Sequence, residues 1–278
     1  MSDKVRDTRR PREFWESKHE RYFRLKSSNP VFFDDVQERL KTGDSIQPVY
    51  GLFSYAEGFM EVINYCYNKG DELDQIREAH VIPGLGRYRQ LVGEIERFRG
   101  QMDKEHFHDL LHKPNATHSV YTLLSWWLCF EVDESDISEL APYVAPAGDD
   151  RLLDTILGRY QPDRVIAEKP SCARSFGVLN QMIEATPDKR IKLAEKYLAN
   201  WGKTIGTLKG LKSLGIQGET TMKSNEDLIA SVQTLGGAYK GFWAWELALV
   251  VRFFDIDDSS FADHEFYPVD LAHYRVKA

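Results

Sequence analysis

Hydrophobic positions along this chain recur at helical spacing from one end to the other, and no stretch alternates as a half-buried strand would. Arg10-Pro11 opens a first helix at the position where proline is tolerated, with Phe14, Trp15, Tyr22 and Phe23 on its apolar side. Asn29-Pro30 repeats the device, with Val31, Phe32, Val36 and Leu40 turned inward until Gly43. An aromatic-rich helix over 48–68 is ended by Gly70, and Asp71 caps a charged segment, DELDQIREAH. Pro83-Gly84 and Gly86 break the pattern before a helix over 87–99, and a short helix covers 103–112. Lys113-Pro114-Asn115 marks the boundary between a domain at 1–115 and a second at 116–278.

The second half opens on an aromatic helix over 121–130, followed by the acidic run 131–139. Pro142, Pro146 and Gly148 predict a loop, after which Asp149 or Asp150 caps a helix reaching about Tyr160, and Pro162 closes it. Residues 171–184 are amphipathic, and Thr186-Pro187-Asp188 starts a helix to about Trp201. Residues 205–224 are rich in Gly, Lys and Thr, and a helix is predicted over 225–235. From Tyr239 to Phe254 the chain is apolar almost all round, interrupted only by Lys240, Glu246 and Arg252, so a helix packed on every side is expected. Asp-Ile-Asp-Asp-Ser-Ser then signals a further short helix, with Asp257 or Asp258 as its cap, before Pro268 extends the chain. The reading is all-α: a two-domain helical bundle or set of stacked helical hairpins. Three times an aromatic helix ends in an acidic turn, at 67–74, 130–136 and 254–258, without a fixed repeat period.

Three submotifs occur in order near the C-terminus: Gly-Phe-Trp-Ala-Trp-Glu-Leu-Ala from Gly241, Ile-Asp-Asp-Ser-Ser-Phe-x-Asp-His from Ile256, and Phe-Tyr-Pro-x-Asp-Leu from Phe266. This set resembles the C-terminal domain of the PoNi immunity proteins, bacterial proteins that neutralise nuclease toxins of the polymorphic class, often delivered by type VI secretion. The resemblance covers 239–274 well and 149–201 loosely, and residues 1–115 only in pattern. One departure is Trp201-Gly202, where family members tend to place a second aromatic after the Trp.

Charge narrows the function classes. The formal net charge of −7 argues against general nucleic-acid binding, which rests on basic side chains neutralising phosphates, and favours basic partners. The 28% charged content and the lack of any long uncharged apolar run argue against a membrane span, and the basic N-terminus has no apolar segment behind it, so a cytoplasmic location is expected. Cys66, Cys129 and Cys172 are odd in number, widely spaced and in predicted helices, as reduced core residues would be. Between Glu131 and Asp154 eight acids face one base, Arg151.

Catalytic chemistry finds little to stand on. His106, His108 and His112, with Asp109, form the one run with metal-ligand spacing, which keeps a helical metal-dependent phosphohydrolase as the alternative; a wet helix face explains the run equally well. Glu246, on a helix buried all round, must be paired or hydrogen-bonded, either as a general base or as a staple between helices. No phosphate loop or nucleophile elbow is present, so no enzyme, cofactor or metal is expected. The resemblance gives the acidic segment a purpose, because a nuclease carries a basic groove. Asp133, Glu134, Asp136, Glu139, Asp149 and Asp150 are therefore the expected toxin interface. Glu246, Asp255, Asp257, Asp258 and Asp263 are secondary interface or structural candidates. The expected partner is a cognate DNase toxin, with no direct nucleic-acid or membrane binding and a homodimer left open.

Overall fold

The structure is a computed structural model, and it describes residues 5–27, 61–98, 116–206 and 222–277. Predictions for 29–43, for 48–60, for the His106–His112 cluster, for the boundary at 113–115 and for 207–221 lie outside the described residues, as do the side chains of Tyr22 and Phe23. All regular structure among the described residues is helical, with no strand. It divides into two compact units, Met1–Leu110 and Leu111–Ala278.

In the first unit, α1 (Arg12–Ser27) starts just after Pro11, and its Trp15 is fully buried with Nε1 donating to the Asp7 carbonyl at 3.1 Å. Helix α2 is described over 61–69, and α3 (Leu73–Ile76) follows Gly70. Asp71 does not cap α3: the N-cap is Glu72, and the Asp71 carboxylate pairs with Lys69 at 3.0 Å. Nor does Pro83 break the chain. A π-turn over Arg77–Val81 leads directly into α4 (Ile82–Phe98). Pro83 lacks the N–H that would continue this ladder, and the wider π-turn just before it accommodates the gap.

In the second unit, α5 (Ala116–Cys129) packs most extensively against α12 (Trp245–Phe254), with Trp126 and Trp245 edge to face at 5.5 Å. Between them in sequence come α6 (Glu134–Val144), α7 (Arg151–Leu157), α8 (Ala173–Gln181), α9 (Pro187–Ala199), α10 (Trp201–Gly206) and α11 (Asn225–Leu235); α13 (Val269–Ala272) follows α12. Trp126, Trp201, Trp245, Tyr121, Tyr197, Tyr239, Phe130, Phe176 and Phe242 are buried completely or nearly so. At ~150–250 Å² each, such aromatics dominate the energetics of a core.

Four expectations are corrected here. The predicted loop at Pro142 is helical: α6 runs through the proline to Val144. Proline cannot donate to the carbonyl four residues earlier, and that carbonyl, of Ser138, accepts instead from Gln161 Nε2 at 3.0 Å. The buried helix expected over 239–254 begins only at Trp245. Gly241 adopts φ 92°, a conformation few other residues enter, and the Ala244 N–H turns away to the Phe266 carbonyl at 2.8 Å. No helix forms over 257–263, which is a series of turns. Cys172 is not inside a helix; it is the half-buried N-cap position of α8.

The three acidic turns share a cause. Gly70, Glu131 and Asp255 all adopt left-handed backbone, with φ of 96°, 52° and 50°. In each case the following N–H reaches back over the helix end at 3.0 Å: Asp71 to Cys66, Val132 to Trp127, Ile256 to Val251. This is the same helix-terminating motif three times, which satisfies carbonyls the helix leaves orphaned.

Candidate functional site

The acids of the second unit sort into those that hold the fold and those that face outward. Asp150 is 3% exposed and is the N-cap of α7: Oδ1 accepts from the Leu152 and Leu153 N–H groups at 3.0 and 3.1 Å and from the Tyr121 hydroxyl at 2.9 Å. Its Oδ2 accepts from the Ser171 N–H and hydroxyl at 2.9 and 2.8 Å. With both oxygens engaged and water excluded, Asp150 is a structural residue, which corrects its assignment to a contact surface. Asp154 is likewise buried, accepting from Arg164 at 2.8 Å and from the Gly148 and Ala167 N–H groups at 3.1 and 2.9 Å. Glu131 pairs with Arg252 and accepts from the Val276 N–H at 2.9 Å, tying the C-terminal tail to the end of α5.

Asp133, Glu134, Glu139 and Asp149 are exposed, and Asp136 is half-exposed. Asp133 and Glu134 stand at the start of α6, where carboxylates also favour the positive end of the helix dipole. Sequence reasoning missed the neighbour of this group. The segment between α7 and α8 carries Val165 and Ile166, 65% and 47% exposed, although it is firmly held. Arg164 reaches the Asp154 carboxylate, the Gln161 side chain at 2.7 Å and the Ala145 carbonyl. The Ser138 hydroxyl on α6 donates to the Tyr160 carbonyl at 3.0 Å, and Glu134 is near enough to help burial raise the Tyr160 pKa. Val165 lies over Gly148, next to Asp149. An exposed apolar pair thus sits on a held segment, Val165 over Gly148 of the 146–149 turn and Ile166 by Gly158, and the same segment is tied to α6 through Tyr160 and Gln161.

Glu246 is fully buried in the first turn of α12. Its Oε1 accepts from the Tyr197 hydroxyl and from Trp201 Nε1, both at 2.7 Å, while Oε2 lies 3.8 Å from His118 Nε2. Two hydrogen bonds of one carboxylate therefore join α12 to α9 and α10, with His118 of α5 close to its other oxygen. Burial lowers the His118 pKa against the pull of Glu246, and burial with Glu246 beside it raises that of Tyr197. A group so enclosed is out of a substrate's reach, and the geometry is that of the staple, not of a general base.

The remaining acids of the C-terminal motif are structural in varied degree. Asp258 is buried, its Oδ2 accepting from the Tyr267 hydroxyl at 2.7 Å and lying 2.8 Å from His273 Nε2. Exposed Asp257 accepts from the Ser259 N–H at 3.0 Å, which holds its pKa below the usual value. Asp255 ends α12 in left-handed backbone, and Asp263 is exposed. Gly202 and Gly206 share a face of α10, and a Cβ on Gly202 would come within 2.2 Å of the Ser224 carbonyl oxygen. The chain over 222–225 crosses where a second aromatic would otherwise sit. In the first unit, His19, Cys66 and His80 are the described residues that come together as metal-ligating groups. No helix of the described residues is long and apolar enough to cross a membrane.

Residues 148–271 match the family described as PoNe immunity proteins (PoNi), C-terminal, and this match supports a PoNi-type immunity protein with a nuclease-toxin immunity role. The whole chain is also similar in fold to protein PA2201 from Pseudomonas aeruginosa, whose crystal structure it superimposes on with a TM-score of 0.67 at 14% identity, covering 99% of this chain and 91% of that one. No curated protein matches the sequence.

Proposed function

We propose that this chain is a non-catalytic immunity protein that binds a cognate antibacterial DNase toxin of a polymorphic or type VI secretion system and occludes its basic groove. The observation that carries the reading is the acidic surface around Val165 and Ile166. Asp133, Glu134 and Glu139 stand exposed on α6 and Asp149 on the turn under Val165, and the segment that carries Val165 and Ile166 is held by Arg164 and tied to α6 through Tyr160. Protein interfaces are commonly built this way, with a desolvated apolar centre inside a polar rim, and the acid rim suits a surface shaped to attract DNA. Asp136, half-exposed on the same helix, belongs to the rim. The exposed Asp255, Asp257 and Asp263 lie on the turns after α12 and are secondary contacts at most.

The test is co-purification with the products of the neighbouring reading frames, followed by DNA-cleavage protection against any nuclease captured. Replacing Val165 and Ile166 together by Asp should abolish protection while leaving the fold intact, since both side chains are exposed. Full protection by that double variant would move the interface elsewhere.

A further inference from the structure

In the N-terminal unit three side chains from three elements turn their donor atoms toward one point. His19 lies in α1, Cys66 in α2, and His80 in the π-turn between α3 and α4; one ligand atom of each lies within 4.8 Å of the other two. Cys66 is 1% exposed and both histidines are half-buried. The π-turn matters to this convergence. One inserted residue rotates the downstream side chains by about 100° around a helix axis, and such insertions gather at functional sites. Here the insertion ends on Val81, immediately after His80.

The surroundings fit a ligand set better than a packed corner. The two imidazole rings lie 6.2 Å apart, centroid to centroid, at 77° to each other, and a neutral imidazole keeps one nitrogen lone pair for a metal. Asp71 accepts from the Cys66 thiol, donates its own N–H to the Cys66 carbonyl at 3.0 Å, and is held by Lys69 at 3.0 Å.

We propose that His19, Cys66 and His80 form a three-ligand site for a borderline-soft divalent transition ion, Zn²⁺ in the first place, that clasps α1 to the helices following it. Two imidazole nitrogens and a thiolate suit tetrahedral zinc with water in the fourth position, and exclude Mg²⁺ and Ca²⁺, which take oxygen ligands. On binding, the ion replaces the thiol proton of Cys66, which is released to solvent. The site is independent of the toxin-binding reading, since it concerns the other unit of the chain.

The experiment strips the full-length protein with a chelator, reloads it with Zn²⁺ alone, removes the excess and counts the metal. About one ion per chain is expected, with a thermal midpoint that falls on stripping and recovers on reloading. Loading with Co²⁺ should give a thiolate-to-cobalt absorption band that Cys66→Ala abolishes. His80→Ala and His19→Gln should each weaken Zn²⁺ binding by more than the ~10–100-fold typical of losing an outer-shell partner. Should Cys66→Ala fail to fold, the wild-type Co²⁺ spectrum alone decides. Retention of well under one ion per chain, or a Co²⁺ complex without a thiolate band, overturns the proposal.

Discussion

The carboxylate of Glu246 makes a prediction whose sign can be worked out in advance. Glu246→Leu keeps the volume roughly but leaves the Tyr197 hydroxyl and the Trp201 N–H, both buried, without their acceptor. An orphaned buried donor costs about 1–3 kcal/mol, so the variant should lose roughly 2–6 kcal/mol. For a unit of this size that is a fall in thermal midpoint of about 2–4 °C per kcal/mol. Tyr197→Phe alone removes one of two hydrogen bonds and should cost about 1–2 kcal/mol. In the Glu246→Leu background the same change removes an orphan instead, and should be neutral or stabilising. The coupling, about 1–3 kcal/mol, is read from chemical denaturation of the four proteins in a double-mutant cycle. If Tyr197→Phe costs the same in both backgrounds, the staple account is wrong.

Other consequences are as direct. Gly202→Ala should destabilise by about 3 kcal/mol, the upper end for overpacking, because the Cβ meets backbone at Ser224 and no side chain can yield; a change below ~1 kcal/mol in denaturation would contradict the crossing at α10. Asp255→Gly should stabilise by up to ~1 kcal/mol in chemical denaturation, by releasing a left-handed non-glycine residue. His118, whose pKa is lowered by burial in the folded state, binds more protons when unfolded. Stability should therefore be full above about pH 6.5 and fall below it, by up to ~1.4 kcal/mol per pH unit, and His118→Gln should flatten that slope in denaturation series at several pH values.

Local rules read much of this fold. Helix α11 occupies the residues predicted for it, Asp150 caps α7, and Gly70 ends α2, because each depends on neighbours within a turn. The misreadings come where a distant group compensates for a local defect. Pro142 lies within a helix because Gln161 serves the stranded carbonyl, and the apolar run from Tyr239 starts late because Phe266 captures the Ala244 N–H. The candidate surface divided in the same way. Charge spacing identified Asp133, Glu134 and Glu139 as a group, but could not tell them from Asp150 and Asp154, whose donors come from up to twenty-nine residues away. Val165 and Ile166 carry no sequence signal for exposure, and the convergence of His19, Cys66 and His80 depends on a π-turn that no periodicity announces.

The central claim is that acids on α6 and the adjoining turn steer a basic toxin onto the C-terminal unit. Its most direct test is the association rate with the cognate nuclease, for wild type and for the Asp133→Lys, Glu134→Lys, Glu139→Lys triple variant, across a salt series. All three side chains are exposed, so the variant should fold. Association of the variant should be slowed at least ~10-fold at low salt, with the gap closing as salt screens the charges. An unchanged rate and affinity at low salt would contradict it.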